Sequence, residues 1–270
     1  MLRKLTRISL ALHPGYGPRL LTCLLAAAAL GLAPNAARAQ RALPPGFVYL
    51  RDIDPTIAQD IRYATANNFI GRPMAGYQAG ECILRCDVAL ALAQVQADLA
   101  ATGRGLKVYD CYRPTQAVHM MMQWARDGAP AGSTRRFFPR VPNKSALFAL
   151  GYIASLSRHS TGTAIDLTLI DLPAGSSAPF DPSAHYGSCI APAVERAPDN
   201  SIDMGTGYDC LDTNSYTRSP AVSANDRARR NMLVAAMARR GFVNYFREWW
   251  HFSFARSGAI SYYDFPIRPR

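Results

Sequence analysis

The sequence predicts an α+β fold, a single domain with a small, mainly antiparallel sheet flanked by helices. Short alternating or β-branched runs recur along its 270 residues without the regular strand–helix alternation of a parallel sheet. Two stretches of helical apolar spacing, and a third with a capping signature, separate those runs. There is no internal repeat and no dinucleotide or phosphate-loop glycine motif.

Taken in order, Val48–Asp60 mixes β-branched residues with Pro55, and Ile61-Arg62-Tyr63 reads as a short strand before the turn-rich Asn67–Gly80. Asp87 is placed to cap a helix whose apolar positions Val88, Leu92, Val95 and Leu99 recur at helical spacing, with Gly103 marking its exit. Leu106–Asp110 alternates faces as a strand and runs into Cys111-Tyr112-Arg113-Pro114. Pro114 suits the first turn of a helix reaching Asp127, with Val118, Met121, Met122 and Ala125 as its apolar stripe. Lys144–Ile153 reads as a helix or helical turn. Ser157–Leu169 is then a turn entering a strand, in which Gly162 supplies the positive φ that lets His159 and Asp166 face each other. Pro173–Val222 has no clear periodicity over about fifty residues, a length that usually serves a site when ordered. Ser223 and Asp226 form a capping-box pattern for a helix ending at Gly241, and Phe242–Tyr245 and Trp249–Phe254 read as two strands joined by a short turn.

Residues 1–39 read as an export signal. Arg3, Lys4, Arg7 and Arg19 make a positive start, Leu20–Ala33 is apolar but short for a membrane span, and Ala37-Arg38-Ala39 offers a small-x-small cleavage site. The expected mature domain is 40–270, periplasmic or secreted, with no stable membrane insertion after cleavage near Ala39. The chain carries 30 basic and 19 acidic side chains, and five of the basic ones precede the cut, leaving 25 against 19, or +6. That charge is spread without a Lys/Arg run, so a nucleic-acid partner is not expected.

Export permits disulfides. Cys189 and Cys210 bracket a Pro/Asp/Gly-rich stretch that gains from closure, and Cys82 with Cys111 is the second expected pair, leaving Cys86 free.

The chemistry converges on four side chains with a fifth in support. In Glu248-Trp249-Trp250-His251-Phe252-Ser253-Phe254, a period of two puts Trp250, Phe252 and Phe254 on one face and His251 on the other, where Glu248 can approach it. His159, Asp166 and His251 thus offer two nitrogens and one oxygen, a set suited to a catalytic zinc with an open fourth position. Glu248 can move a proton from water to a leaving amine, and Arg113 is the candidate oxyanion stabiliser. His119 lies beside a helical stripe and His185 in the irregular stretch; neither has a partner at metal-ligand spacing.

Ser157-x-His159-x-x-Gly162-x-Ala164-x-Asp166, Glu248-x-x-His251 and Asp110-x-Tyr112-Arg113-Pro114 together resemble the zinc D-alanyl-D-alanine dipeptidases of glycopeptide resistance and dipeptide recycling. These belong to the zinc D,D-peptidases with a hedgehog-like fold. Asp60-Ile61-Arg62-Tyr63-Ala64-Thr65, Asn67-Asn68-Phe69-x-Gly71, Asn143-Lys144-Ser145-x-Leu147-Phe148 and Asp203-Met204-Gly205-Thr206 extend the likeness in collinear order across Asp60–Phe254. The resemblance implies one zinc per chain on His159, Asp166 and His251, Glu248 as acid/base, Arg113 as transition-state stabiliser and Ser157 as a pocket residue. It also implies Asp209 and Tyr63 as acceptors for a free ammonium, with D-alanyl-D-alanine as substrate. Tyr216 departs from the pattern, where many relatives carry a histidine. Two other activities are open at this point: a D,D-carboxypeptidase or endopeptidase on longer peptidoglycan stems, and a non-catalytic zinc module. Pro173–Val222 favours a capped, dipeptide-sized cavity.

Overall fold

The apolar, β-branched run Ala-Ile-Asp-Leu-Thr-Leu-Ile becomes the central strand of the main sheet. The computed structural model describes residues 43–255 and 261–270; the export-signal expectation for 1–39 lies outside them. In chain order the elements are β1 (Phe47–Tyr49), α1 (Leu50–Ile53), β2 (Ala58–Gln59), β3 (Ile83–Arg85), α2 (Cys86–Ala100), β4 (Arg104–Asp110), α3 (Thr115–Arg126), α4 (Ala146–Ala149), β5 (Ala164–Asp171), α5 (Ala224–Arg239), β6 (Phe242–Asn244) and β7 (His251–Phe254). The main sheet runs β2-β4-β5-β7-β6, parallel only between β2 and β4, and β1 pairs antiparallel with β3. The fold is α+β, and Leu43–Arg270 forms one unit. Among the described residues no helix is long and apolar enough to cross a membrane.

The helical spacing in α2 buries Val88, Leu92, Val95 and Leu99 against the sheet. The helix begins at Cys86, however, so Asp87 lies in its first turn without making a cap bond; there its charge favours the positive end of the helix dipole. Pro114 takes the N-cap position of α3 instead of its first turn. In α5 the capping box forms as the sequence suggests, with Ser223 and Asp226 bonding each other's backbone N–H. Only Ala146–Ala149 of Lys144–Ile153 is α-helical, and Gly151 turns the chain away at φ +75°.

One strand assignment is overturned. Residues 62–64 form a 3₁₀ turn, Arg62–Ala64. The Asn68 amide donates to the carbonyls of Arg62 and Thr65 at 3.3 and 2.7 Å, and the buried Arg62 guanidinium binds Asp60 and Asp199, both at 2.7 Å. Those bonds draw the segment out of the sheet ladder.

The irregular stretch 173–222 is ordered by side chains. Disulfides join Cys189 to Cys210 and Cys82 to Cys111. Cys86 is disulfide-bonded as well, so the expectation that it stays free does not hold. Asp199 accepts from Arg62 and from the Tyr109 hydroxyl, each at 2.7 Å, and from the Lys107 ammonium. Burial opposes ionisation of Asp199, but the charges of Arg62 and Lys107 and the bond from Lys107 outweigh it and hold the carboxyl below the usual carboxylate range.

A depressed folded-state pKa stabilises above the unfolded value, about 3.9, and that stabilisation is lost as pH falls below it. Asp199→Asn is therefore expected to cost on the order of 3 kcal/mol at pH 7 and to flatten the acid limb of a stability–pH curve from urea unfolding. An unchanged acid limb would show that Asp199 does not anchor the stretch.

Candidate active site

Three strands align the chemistry. On the central strand β5, Asp166 stands opposite Asp110 of β4 on one side and His251 of β7 on the other. The β4 partnership depends on a bulge between Val108 and Asp110, which places Asp110 instead of Tyr109 across from Asp166. His159 reaches the same point from the 3₁₀ turn Arg158–Thr161. Ser157 starts that turn by accepting from the His159 N–H at 3.3 Å, and Gly162 ends it at φ +72°. A Cβ at Gly162 would also lie 2.3 Å from the Phe47 ring, so this turn requires glycine twice over.

His159 Nε2, His251 Nδ1 and Asp166 Oδ1 form a triangle. The nitrogens are 3.0 Å apart, and the oxygen is 3.2 Å from His159 and 3.0 Å from His251. A tetrahedral zinc with bonds of about 2.0–2.1 Å sets its ligand atoms roughly 3.3 Å apart, so the spacing suits that ion. The tautomer suits it too. His159 Nδ1 donates to the Cys111 carbonyl at 2.8 Å, which in the neutral ring leaves Nε2 as a bare lone pair facing the other two atoms. Two nitrogens and an oxygen this close together could hold a cation, and the donor set fits zinc. Burial opposes ionisation of Asp166, but the neighbouring His159 and His251 outweigh it and lower its pKa below the ordinary range.

Glu248 lies in the turn before β7, its Oε2 3.8 Å from His251 Nδ1. Burial pushes its carboxyl up to about 7; His251 and Arg113 pull against this, and the Asp166 charge adds to it. Arg113 faces the same cleft. Its Nε and Nη2 both bind Asp110 Oδ2 at 2.9 Å, Nη2 lies 3.7 Å from Asp166 Oδ2, and the guanidinium sits over the Tyr63 ring at 4.8 Å. The Tyr63 hydroxyl donates to Asp209 Oδ1 at 3.0 Å. Asp209 has φ +57°, and its buried Oδ2 has no partner among the described residues. Burial, then the charge of Asp166, raises the Asp209 pKa well above the ordinary value.

These side chains line one cleft of about 700 Å³, together with Ser157, Ile153, Leu156 and Val243. His119 and His185 are exposed and lie elsewhere. The irregular stretch contributes only Asp209 and Leu211 to this cleft, and more of its residues line a separate cavity with Arg62, Tyr109 and Arg136. It therefore does not cap the site as its length suggests; residues 151–158 and 243–245 form the outer wall.

Residue patterns do not mark Tyr77, Tyr208 or the role of Asp110. Tyr77 donates to Asp110 Oδ1 at 2.6 Å, and Tyr208 to Asp166 Oδ2 at 3.0 Å. Asp110, three residues before Arg113 at a strand end, is the one with a readable signal: a carboxylate placed to pair with that guanidinium.

An α+β domain in which a His₂Asp cluster, a buried glutamate and a paired arginine meet in one cleft is a metallopeptidase by its layout. Comparison with known proteins narrows the class. The model of the D-ala-D-ala dipeptidase family matches residues 44–179 and 172–267, and this chain belongs to that family. It is 31% identical over 224 residues to a D-alanyl-D-alanine dipeptidase of Enterococcus faecium, covering 83% of this chain and 98% of the relative. A Streptomyces coelicolor dipeptidase is 30% identical over 82% of this chain and 98% of its own length, and one from Escherichia coli 31% over 79% and 86%. Likeness to a solved zinc complex of a vancomycin-resistance D,D-pentapeptidase, VanY, is slight, with a TM-score of 0.33 and 12% identity over 66% of this chain and 76% of that one.

Asp110 is fully buried with Arg113 as its main charge partner. Asp110→Ala strands that guanidinium and is expected to lower unfolding free energy by roughly 3–5 kcal/mol in urea titrations. A loss near zero would mean that Arg113 finds another anion.

Proposed function

We propose that this protein is a zinc-dependent dipeptidase that hydrolyses D-alanyl-D-alanine to two D-alanines, acting outside the cytoplasm in cell-wall precursor or fragment metabolism. What carries the reading is the meeting of His159, Asp166 and His251 with Glu248 and Arg113 in one cleft. The family and its dipeptidase relatives support the substrate class. The export-signal pattern of the first 39 residues supports the compartment.

His159, Asp166 and His251 would hold one zinc, which supplies Lewis acidity toward the peptide carbonyl and lowers the pKa of water. Glu248, with a carboxyl near neutrality, takes a proton from the attacking water and returns it to the departing amine. Arg113 donates to the oxyanion from a position held by Asp110 beneath it and Tyr63 beside it. The unpartnered Asp209 Oδ2 accepts from the substrate ammonium, and its other oxygen is held by Tyr63. Ser157, on the cleft wall, contributes a hydroxyl to the pocket.

D-alanyl-D-alanine turnover, measured with and without a chelator, decides the reading: it should appear with the metal and vanish without it. An acetylated dipeptide, which lacks the ammonium, should be a poor substrate, and so should a stem pentapeptide. Pentapeptide cleavage at a comparable rate would replace the dipeptidase by a carboxypeptidase. Glu248→Ala should retain one zinc per chain and lose about 10²–10⁴-fold in kcat; near-normal turnover by the metal-loaded variant would remove Glu248 from the proton path.

A further inference from the structure

Tyr208 is a buried phenol just before Asp209 whose hydroxyl the reaction scheme leaves unused. Its ring stacks on Tyr109, with centroids 4.5 Å apart and planes at 19°, and meets Trp250 edge-on at 5.5 Å. Held between those rings, the hydroxyl donates to Asp166 Oδ2 at 3.0 Å.

The two oxygens of Asp166 have separate surroundings. Oδ1 faces both imidazoles, and Oδ2 points to Tyr208, with Arg113 Nη2 next at 3.7 Å. A carboxylate free to turn about its Cβ–Cγ bond could present either oxygen, or both, to an ion. We propose that Tyr208 is a positioning residue for the metal ligand Asp166, its hydroxyl fixing the carboxylate so that Oδ1 alone faces the metal. The inference rests on the reading of His159, Asp166 and His251 as zinc ligands. Outer partners of this kind are worth about 10–100-fold in metal affinity where they have been removed.

The test compares wild type, Tyr208→Phe and Tyr109→Phe, each purified as the full exported chain. Zinc affinity is measured by competition with a chelator of known strength, alongside the visible spectrum of the cobalt-loaded forms. Tyr208→Phe keeps the ring and its stacking, and is expected to bind zinc about 10–100-fold more weakly and to shift the cobalt spectrum. Tyr109→Phe removes the hydroxyl of the stacked neighbour, which bonds Asp199, and should leave both readouts unchanged. Excess zinc should restore kcat in Tyr208→Phe at an unaltered KM. Equal zinc affinity in Tyr208→Phe and wild type overturns the inference. So does equal weakening in the two variants, which would signal general loosening, or a raised KM with zinc affinity intact, which would place the effect on Asp209. A wild-type chain that binds no zinc overturns the ligand reading as well, and separates the two failures.

Discussion

The site depends on one cross-strand alignment, Asp110–Asp166–His251, laid across β4, β5 and β7. Two buried carboxylates on adjacent strands repel. The fold answers with cations and donors from outside the sheet. Arg113 doubles back onto Asp110, His159 comes within 3.3 Å of Asp110 through Nδ1 and 3.2 Å of Asp166 through Nε2, and Tyr77 and Tyr208 each donate to one carboxylate. The electrostatic demand of the pair thus accounts for where Arg113 and the first imidazole sit. It also accounts for the pKa values of Asp110 and Asp166 shifting in opposite directions. Burial dominates at Asp110 and raises its pKa, while the imidazoles win at Asp166 and lower it.

The supports of this alignment are covalent as well as polar. The carbonyl that fixes the His159 tautomer belongs to Cys111, which a disulfide ties to Cys82 next to β3. The following residue, Tyr112, stacks on Phe265 at 4.1 Å and 9°, and its hydroxyl donates to the Phe265 carbonyl. The C-terminal segment therefore backs the loop that presents Arg113. The stretch 173–222 is secured by the Asp199 cluster and the Cys189–Cys210 bridge, and it brings Tyr208 to Asp166 and Asp209 to Tyr63.

Much of the helical structure was legible because it follows local rules. Val88, Leu92, Val95 and Leu99 give a buried face by spacing alone, and Ser223 with Asp226 caps α5 through bonds between residues three apart. Ile61-Arg62-Tyr63 was misleading for the opposite reason. Its strand-like composition yields to ion pairs with Asp60 and with Asp199, the latter far along the chain. The irregular stretch misled in a similar way, since nothing local says which face of the domain it will cover.

By itself the sequence determined the donor types and half of their placement. The Gly162 turn brings His159 back toward Asp166, and the period of two from Trp250 to Phe254 turns His251 away from the core; both depend only on neighbouring residues. Only the tertiary structure decided that Asp110 is the carboxylate beside Asp166, because that follows from a bulge in β4 set by pairing with a strand more than fifty residues away. It alone decided that Tyr208 meets Asp166, and that one oxygen of Asp209 has no partner among the described residues. Such contacts are set by packing between distant segments, and no spacing along the chain encodes them.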